Sequence, residues 1–365
     1  MILTDLIFCD FRNLAAVHLE PSPGFNIFFG ANAQGKTNIL EGIYLLGTFK
    51  SFRAVRNEEL IRHACQRASL ATSLESRGTR HRAELHIDRQ GKKLRLDGKV
   101  PPLNAESLGY LRPILFAPEE TNFVKGAPAG RRALVDRAIF QTQPAFLGRA
   151  QEFARILRQR NRLLKEECRD QELAPWTEGL IRAGARLRRD RCVFLRRLRP
   201  ILRQSYSHIA GGLEEADIHY PIESDDEPVL QEQLRRELGK EQQRERRYQT
   251  TLAGPHRDDL NFSIDGRPLK LYGSQGQQRS FVLAFKTAQI IDIEGQTGEQ
   301  PILLLDDMTS ELDRCRQEYF FQFLLKRKGQ VFITTTEYRS LLDQGLTDAR
   351  IFRIESGKVA AGHGE

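Results

Sequence analysis

One segment, residues 30–37 with the sequence GANAQGKT, constrains the fold more than any other part of this chain. It fits the pattern G-x-x-x-x-G-K-[ST], follows the apolar segment GFNIFFG and precedes TNILEGIYLLG, which has helical spacing. Glycines let the backbone wrap so that its N–H groups point inward at phosphate oxygens, and the helix N-terminus adds a favourable dipole. The sequence therefore predicts a strand, a phosphate-binding loop (the P-loop, residues 30–37) and a helix.

Two residues of this loop have chemical roles of their own. The Lys36 ammonium can reach the β- and γ-phosphates of ATP and offset their charge, so Lys36 is a predicted catalytic residue. The Thr37 hydroxyl is a predicted ligand of Mg²⁺. We expect ATP to contact the whole loop and the residue after it: Gly30, Ala31, Asn32, Ala33, Gln34, Gly35, Lys36, Thr37 and Asn38.

A second motif, PILLLDD at residues 301–307, lies in the last part of the chain. Its apolar residues predict a buried strand whose carboxylates emerge at the carboxyl end, where parallel sheets bind ligands. Asp306 would hold Mg²⁺, and Asp307 would orient or deprotonate the water that attacks ATP. A buried strand followed by an acidic turn is common in proteins, and the loop upstream favours the catalytic interpretation.

Between these motifs, residues 274–279 have the sequence SQGQQR and precede a predicted helix. The segment resembles the signature motif of ABC-type ATPase heads, in which serine and glycine meet the γ-phosphate of ATP held by the opposite subunit. Ser274 and Gly276 are therefore predicted ATP contacts. Ser-Gln-Gly at the start of a helix is also typical of a plain N-cap. The order of the three motifs favours the signature.

The motifs together resemble those of the SMC-like heads, and most closely those of the RecF family. The resemblance is carried by GANAQGKTN, SQGQQR and LLLDDMTSELD. It also covers FRNL (11–14), FKSFR (49–53), LFAPEE (115–120), GAPAGRRALVD (126–136) and GPHRDDL (254–260). These segments run over nearly the whole chain, and they are densest outside its middle third.

The resemblance implies an ATP-sandwiched homodimer on DNA with slow, DNA-dependent ATP hydrolysis used as a switch. It further implies action at single-stranded gaps and duplex junctions, recombinase loading with a RecR-type mediator, and a role in replication and the SOS response. Glu311-Leu312-Asp313 resembles the D-loop that meets the partner subunit. LFAPEE is the candidate equivalent of the Q-loop.

The pattern along the chain predicts an α/β fold: an ABC-type P-loop ATPase head with an inserted helical arm lobe. Short strands come first, residues 131–249 have helical periodicity, and strands alternating with helices return after residue 252. We expect a head in 1–125, the arm in 126–250 and the rest of the head in 251–365. LNFSI-DG-RPLKLY predicts a hairpin with a type I′ turn at Asp265-Gly266.

The formal net charge of +8 favours a polyanionic partner such as DNA. A phosphate-binding face is predicted in the arm, from Arg155, Arg158, Arg160, Arg162, Arg182, Arg186, Arg188, Arg189, Arg191, Arg196, Arg197 and Arg199. A solvated face paired with nearby glutamates has equal weight. Arg53, Arg56, Arg131 and Arg132 are alternatives on the head. No base-reading motif is present, so we expect recognition of the DNA backbone or shape.

Other features bear on compartment and on the competing classes. Five scattered cysteines without a C-x-x-C pair fit a reducing cytoplasm, and no apolar run is long enough to span a membrane. An ABC transporter ATPase is the main alternative. Asp307 in place of the usual Glu, a Thr run at 334–336 in place of the usual His, and the helical arm count against it.

A small-molecule kinase is a third class, and it needs no second head. The signature and the D-loop count against it. The remaining motif, His256-Arg257, has two interpretations. In one, Arg257 pairs with its neighbour Asp258 in a structural turn. In the other, His256 and Arg257 serve the nucleotide or a dimer interface.

Overall fold

The computed structural model describes residues 1–101, 109–308 and 313–361. Within these ranges the chain forms two compact units. One combines Met1–Glu120 with Ile293–Glu365, and the other is Thr121–Asp292. The chain therefore leaves the first unit, builds the second and returns, which is the organisation predicted for a head with an inserted lobe.

The elements are numbered in chain order. The described strands are β1 (Ile2–Phe11), β2 (Leu14–Leu19), β3 (Phe25–Phe29), β4 (Arg67–Ser76), β5 (Thr79–Asp88), β6 (Lys92–Leu96), β7 (Pro113–Phe116), β8 (Ala216–His219), β9 (Asn261–Ile264), β10 (Arg267–Pro268), β11 (Ile302–Asp306), β12 (Val331–Thr335), β13 (Arg350–Glu355) and β14 (Lys358–Ala361). The described α-helices are α1 (Lys36–Thr48), α2 (Asn122–Lys125), α3 (Pro128–Thr142), α4 (Phe146–Lys165), α5 (Asp170–Ile209), α6 (Glu227–Tyr248), α7 (Leu269–Tyr272), α8 (Gln275–Thr297), α9 (Arg314–Leu325) and α10 (Arg339–Asp343).

The larger sheet of the first unit has the strand order β14-β13-β3-β12-β11-β7. All neighbours run parallel except β14, which pairs antiparallel with β13 at one edge. Every residue of β11 and β12 is buried, as expected for parallel strands covered on both faces. Because β3 lies between β13 and β12, the glycine-rich loop emerges at the carboxyl edge beside the ends of both neighbours.

A second sheet of the same unit is antiparallel, with the order β2-β1-β4-β5-β6. Helix α1 contacts strands of both sheets, and most of its residues are buried. The ring of Phe8 in β1 lies so close to Gly42 that a Cβ there would be 2.9 Å from it. This packing fixes the helix that follows the glycine-rich loop.

Long helices dominate the second unit. Helices α4 and α5 pack as an antiparallel pair in which Ile156 contacts Gly179 and Phe153 contacts Gly184, and α6 packs on α5. An antiparallel sheet of order β10-β9-β8 shares their core. No helix among the described residues is both long enough and apolar enough to cross a membrane.

The predicted domain boundaries differ from the observed units. The arm was expected over 126–250 and the second part of the head over 251–365, whereas the second unit spans Thr121–Asp292. The reason is a sheet that crosses the predicted boundary, since β8 of the expected arm pairs with β9 of the expected head. The signature segment therefore lies in the same compact unit as the long helices.

The predicted hairpin is correct at its turn and wrong in its second strand. Asp265 and Gly266 have φ of 49° and 72°, as a type I′ turn requires. Strand β10 ends after Pro268, and Leu269–Tyr272 form the short helix α7. Proline lacks the N–H that would continue the ladder, which limits this strand to an edge.

Candidate functional site

The glycine-rich loop joins the end of β3 to the start of α1. Gly30 and Gly35 have φ of 153° and 115°, which lie in the region that favours glycine. A Cβ on Gly35 would lie 2.8 Å from the side-chain oxygen of Asn13. Ala31, Asn32 and Ala33 are exposed at the top of the loop.

The Lys36 side chain lies under this loop and is largely buried. Its Nζ donates to the carbonyl oxygens of Gly30 at 2.6 Å and Ala31 at 2.9 Å. Burial lowers the pKa of the Lys36 ammonium from its ordinary value, while the charges of Asp307 and Asp306 act in the opposite direction. The ammonium is thus held where its neighbours are carboxylates and backbone carbonyls.

Thr37 and Asp306 meet across the sheet edge although they are far apart in sequence. The Thr37 hydroxyl donates to Asp306 Oδ1 at 2.8 Å, and the Thr334 hydroxyl donates to the same oxygen at 2.7 Å. Asp306 is 8% exposed. Mg²⁺ prefers hard oxygen ligands and is usually held by one or two protein oxygens with phosphate and water, so this pair has suitable chemistry.

Asp307 follows directly and has an unusual backbone. Its φ is 49°, in the left-handed region, and its N–H donates to the Thr334 hydroxyl at 3.1 Å. Aspartate is among the residues that tolerate this conformation. Thr334 therefore organises both carboxylate residues. This role was not predicted from the Thr run at 334–336, because it depends on β12 lying beside β11.

Asn38 lies one residue beyond the loop, at the third position of α1. Its Nδ2 donates to Asn13 Oδ1 at 2.7 Å, and its Oδ1 accepts a hydrogen bond of 3.0 Å from Arg53. FRNL supplies Asn13 and FKSFR supplies Arg53, so both short motifs lie beside the P-loop. Neither position beside the loop was predicted from the sequence.

The signature segment, in the second unit, begins helix α8. Ser274 Oγ accepts from the N–H of Gln277 at 3.1 Å, and the Gln277 side chain accepts from the Ser274 N–H at 2.8 Å. This reciprocal pair is a capping box. Gly276 lies in the first turn of the helix, and Ser274 is exposed. Since the serine oxygen only accepts in this cap, its own hydroxyl proton is still able to bind a phosphate.

Comparison with known proteins decides the family. The family model described as RecF/RecN/SMC N terminal domain matches residues 2–358. The DNA replication and repair protein RecF of Syntrophotalea carbinolica is 52% identical over 98% of this chain and 99% of its own length. The protein of the same name from Citrifermentans bemidjiense is 43% identical over 98% and 100%. The chain belongs to the RecF family.

Solved structures agree. A structure described as the recombination mediator protein RecF-ATP in the RecFOR pathway matches with a TM-score of 0.89 and 30% identity, over 98% of both chains. An Smc head bound to a domain of ScpA matches with a TM-score of 0.59 and 16% identity, over 99% of this chain and 97% of that one, which supports the fold alone. The predicted α/β head of ABC type with an inserted lobe is confirmed.

Several of the arginines predicted for DNA contact from the clustering of basic residues form buried ion pairs instead. Each of them binds a carboxylate from a distant part of the chain: Arg160–Glu245 at 2.7 Å, Arg188–Asp258 at 2.6 Å, Arg191–Asp136 at 2.8 Å and Arg131–Asp259 at 2.7 Å. All of these arginine side chains are almost fully buried. A DNA role for them was a wrong expectation, because their charges are already neutralised inside the second unit.

The other arginines differ in how available they are. Carboxylates pair with Arg162, Arg186, Arg189, Arg196, Arg197 and Arg199, and the partner of Arg197, Asp292, is itself buried. Arg155, Arg158 and Arg182 are exposed and form no ion pair with any residue that the structure describes. Arg56 is exposed in the first unit, and Arg132, expected on the head, lies in the second unit, where it donates to the Asp258 carbonyl.

The hydrogen bonds of the GPHRDD segment favour its structural interpretation. Asp258 does not pair with Arg257, as one interpretation expected, but with Arg188 and with the Tyr220 hydroxyl at 2.6 Å. Arg257 donates to the Thr251 carbonyl. Burial lowers the pKa of His256 to about 4, so its ring is neutral at physiological pH.

Two expected motifs are only partly described. Glu311 and Leu312 of the D-loop lie outside the described residues, while Asp313 caps helix α9 by accepting from the N–H of Arg316. LFAPEE runs from β7 into the 3₁₀ turn Pro118–Thr121. A Q-loop role for this segment stays a prediction.

Proposed function

We propose that this chain is an ATP-dependent DNA-binding protein of DNA replication and recombinational repair. In this proposal ATP joins two copies into a dimer on DNA, and slow hydrolysis releases them. The single observation that best supports it is the meeting of Thr37, Asp306 and Thr334 at the edge of the sheet beside Lys36. A relative described as RecF-ATP, similar over nearly the full chain, points to the same ligand.

ATP would bind with its phosphates along residues 30–37. Lys36 would exchange the carbonyls of Gly30 and Ala31 for β- and γ-phosphate oxygens, which offer it stronger, charge-assisted hydrogen bonds. Thr37 and Asp306 would hold Mg²⁺, which would neutralise phosphate charge. Asn38, the residue after the loop, would provide a further contact with ATP.

Asp307 would position the attacking water. Asp307→Asn is expected to keep ATP binding, because Asp306 and not Asp307 bonds to Thr37. Hydrolysis should fall by about 10²-fold, a usual contribution of a general base, and the ATP dimer should persist. Phosphate release measured at saturating ATP checks this, with the exposed Asp348→Asn as the control. A parent rate in Asp307→Asn would remove Asp307 from the mechanism.

Ser274 and Gly276 would contact the ATP held by a second copy. Ser274→Arg should then leave ATP affinity of the monomer nearly intact while abolishing dimers and hydrolysis. Ser274→Ala is the comparison, since it loses the same N-cap, at about 1 kcal/mol, and the same hydroxyl without adding bulk, so its dimers should be weakened and not abolished. Light scattering with ATP distinguishes the two, and loss of ATP binding by monomeric Ser274→Arg would contradict the assignment to the opposite subunit.

DNA contact is assigned to Arg155, Arg158 and Arg182, which are exposed and have no carboxylate partner among the residues that the structure describes. Arg186 approaches Glu152 to 3.9 Å, so Arg182 and Arg155, each about one turn away, lie on neighbouring parts of the α4–α5 surface. Arg158 continues this row. Arg53 and Arg56 in the first unit form the alternative site. Recognition would be of the phosphate backbone, without base readout.

Salt dependence tests this surface. The logarithm of DNA affinity should fall linearly with the logarithm of salt, by about 0.9 per neutralised phosphate, and more steeply with ATP than with ADP. Arg155→Glu with Arg182→Glu should flatten the slope without changing ATP affinity. The control is Arg162→Glu with Arg244→Glu, which changes the net charge by the same amount at two arginines that already have carboxylate partners. Equal slopes for the two double variants would move the DNA site elsewhere.

The wider role follows from the family and not from any contact described above. Recombinase loading at gaps with a RecR-type mediator, the SOS response and a cytoplasmic location are part of the proposal. The transporter ATPase, our alternative at the level of sequence, is not favoured by full-length similarity to RecF proteins.

A further inference from the structure

The P-loop does not stand alone at its edge of the sheet. Strand β13 is the parallel neighbour of β3, and Arg353 is paired with Phe29 at the end of β3. Both strands therefore leave the sheet at the same edge and at nearly the same level. After β3 the chain enters the P-loop, and after β13 it turns at Ser356-Gly357 into β14. The two turns lie side by side.

Gln34 of the P-loop is bound to this turn through both its side chain and its backbone. The Ser356 N–H donates to Gln34 Oε1 at 2.6 Å, and the Gly357 N–H donates to the Gln34 carbonyl at 2.9 Å. Asn13 Nδ2 donates to the same carbonyl at 3.2 Å. Gln34 thus accepts hydrogen bonds from two segments that lie far from it in the sequence.

Two glycines allow this close approach. A Cβ on Gly30 would lie 2.3 Å from the Ile354 carbonyl oxygen, and one on Gly357 would lie 2.2 Å from the Asn13 carbonyl oxygen. Real Cβ atoms do not come so near to backbone atoms, so any side chain at Gly357 must push the turn away from Asn13. The contact between the turn and the loop depends on this missing side chain.

We propose that the β13–β14 turn is a brace that holds the P-loop in its phosphate-binding shape, with Gln34 as the positioning residue. The reason lies in peptide geometry. A trans peptide is planar, and its C=O and N–H point in opposite directions. Two hydrogen bonds that hold the Gln34 carbonyl toward the brace therefore turn the Gly35 N–H away from it. Gly35 is one of the residues expected to present an N–H to phosphate.

The brace acts on nucleotide affinity. This inference rests on the proposed binding of ATP at the P-loop. Without the brace the loop would sample other shapes. The apparent affinity for ATP would then fall in proportion to the fraction of molecules that keep the phosphate-binding shape. The brace does not touch Asp307, so the rate of hydrolysis at saturating ATP should change much less than the affinity.

Gly357→Ala is the decisive variant, because the chain offers a matched control. Asp97-Gly98 is a turn of the same type, with φ of 50° and 77° against 50° and 74° at Ser356-Gly357. A Cβ on Gly98 would meet nothing within 4 Å. Gly98→Ala therefore carries the same backbone strain without the collision. We expect Gly357→Ala to raise the Kd for Mg·ATP by about tenfold, and Gly98→Ala to leave it unchanged.

A milder variant covers the case in which Gly357→Ala fails to fold. Gln34→Met keeps the length of the side chain and the backbone bonds but loses the acceptor of the Ser356 N–H. Its Kd for Mg·ATP should rise about threefold, with a thermal midpoint within a degree or two of the parent. Calorimetric titration with Mg·ATP and thermal unfolding provide both readouts.

The outcomes separate the brace from the proposal it rests on. If the parent protein does not bind Mg·ATP, the proposed function fails. If the parent binds, and Gly357→Ala and Gln34→Met bind as tightly as Gly98→Ala, the brace is overturned. A rise in Kd for these two variants alone, with little change in hydrolysis at saturating ATP, supports it.

Discussion

Lys36→Met is expected to abolish ATP-dependent dimerisation and to weaken ATP binding by about 100-fold. The side chain is buried beneath the P-loop and faces Asp306 and Asp307, so ATP would meet two carboxylates with no ammonium between them. Charge-assisted hydrogen bonds contribute about 1.5–3 kcal/mol each, and this variant loses them all.

The matched control for Lys36→Met is Lys328→Met. Lys328 is exposed and precedes β12, so it lies at the amino edge of the sheet, opposite the site. Titration with ATP and sizing with ATP should give parent values for the control. Near-normal ATP dimers of Lys36→Met would remove the P-loop from the mechanism.

Arg188→Glu is expected to unfold the second unit or to destabilise it by about 3–5 kcal/mol, the usual effect of breaking a buried ion pair. The Arg188 side chain is 2% exposed and bonds to both Asp258 and Glu237. Burial opposes its charge, but the hydrogen bonds to these carboxylates outweigh burial and raise its pKa. A carboxylate at this position would face two others.

Arg189→Glu provides the comparison at the next residue. The Arg189 side chain is 55% exposed, and its nearest carboxylate is Glu227 at 3.9 Å. Its free energy of unfolding should change by about 0.5 kcal/mol or less. Urea unfolding of the two variants measures the difference. Equal unfolding midpoints would show that Arg188 is not part of the core, and would return it to the candidates for DNA contact.

Arg188 and Arg189 differ in a way that their local sequence does not predict. They are adjacent and chemically identical, yet one is buried and one is exposed. The partners that decide this, Asp258 and Glu237, lie 70 and 49 residues further along the chain. Strand β8 was missed for the same reason, since it has four residues and its partner β9 lies beyond a long helix.

The P-loop was predictable because its chemistry is local: the glycines, the lysine and the threonine lie within eight consecutive residues. The approach of Thr37 to Asp306 was also within reach, since ligands gather at the carboxyl ends of parallel strands. The contributions of Thr334, Asn13 and Ser356 could not be predicted from the sequence. They depend on which strand lies beside which, and the order β13-β3-β12-β11 is not written in any one segment.

The central claim, that ATP joins two copies of this chain, is tested most directly by the mass of the protein in solution. Multi-angle light scattering would be run with Mg·ATP, with Mg·ADP and without nucleotide, using Asp307→Asn to prevent turnover. We expect a dimer with ATP alone, and monomers in the other two conditions. A monomer with ATP, under conditions where calorimetry shows the site to be filled, would contradict the claim.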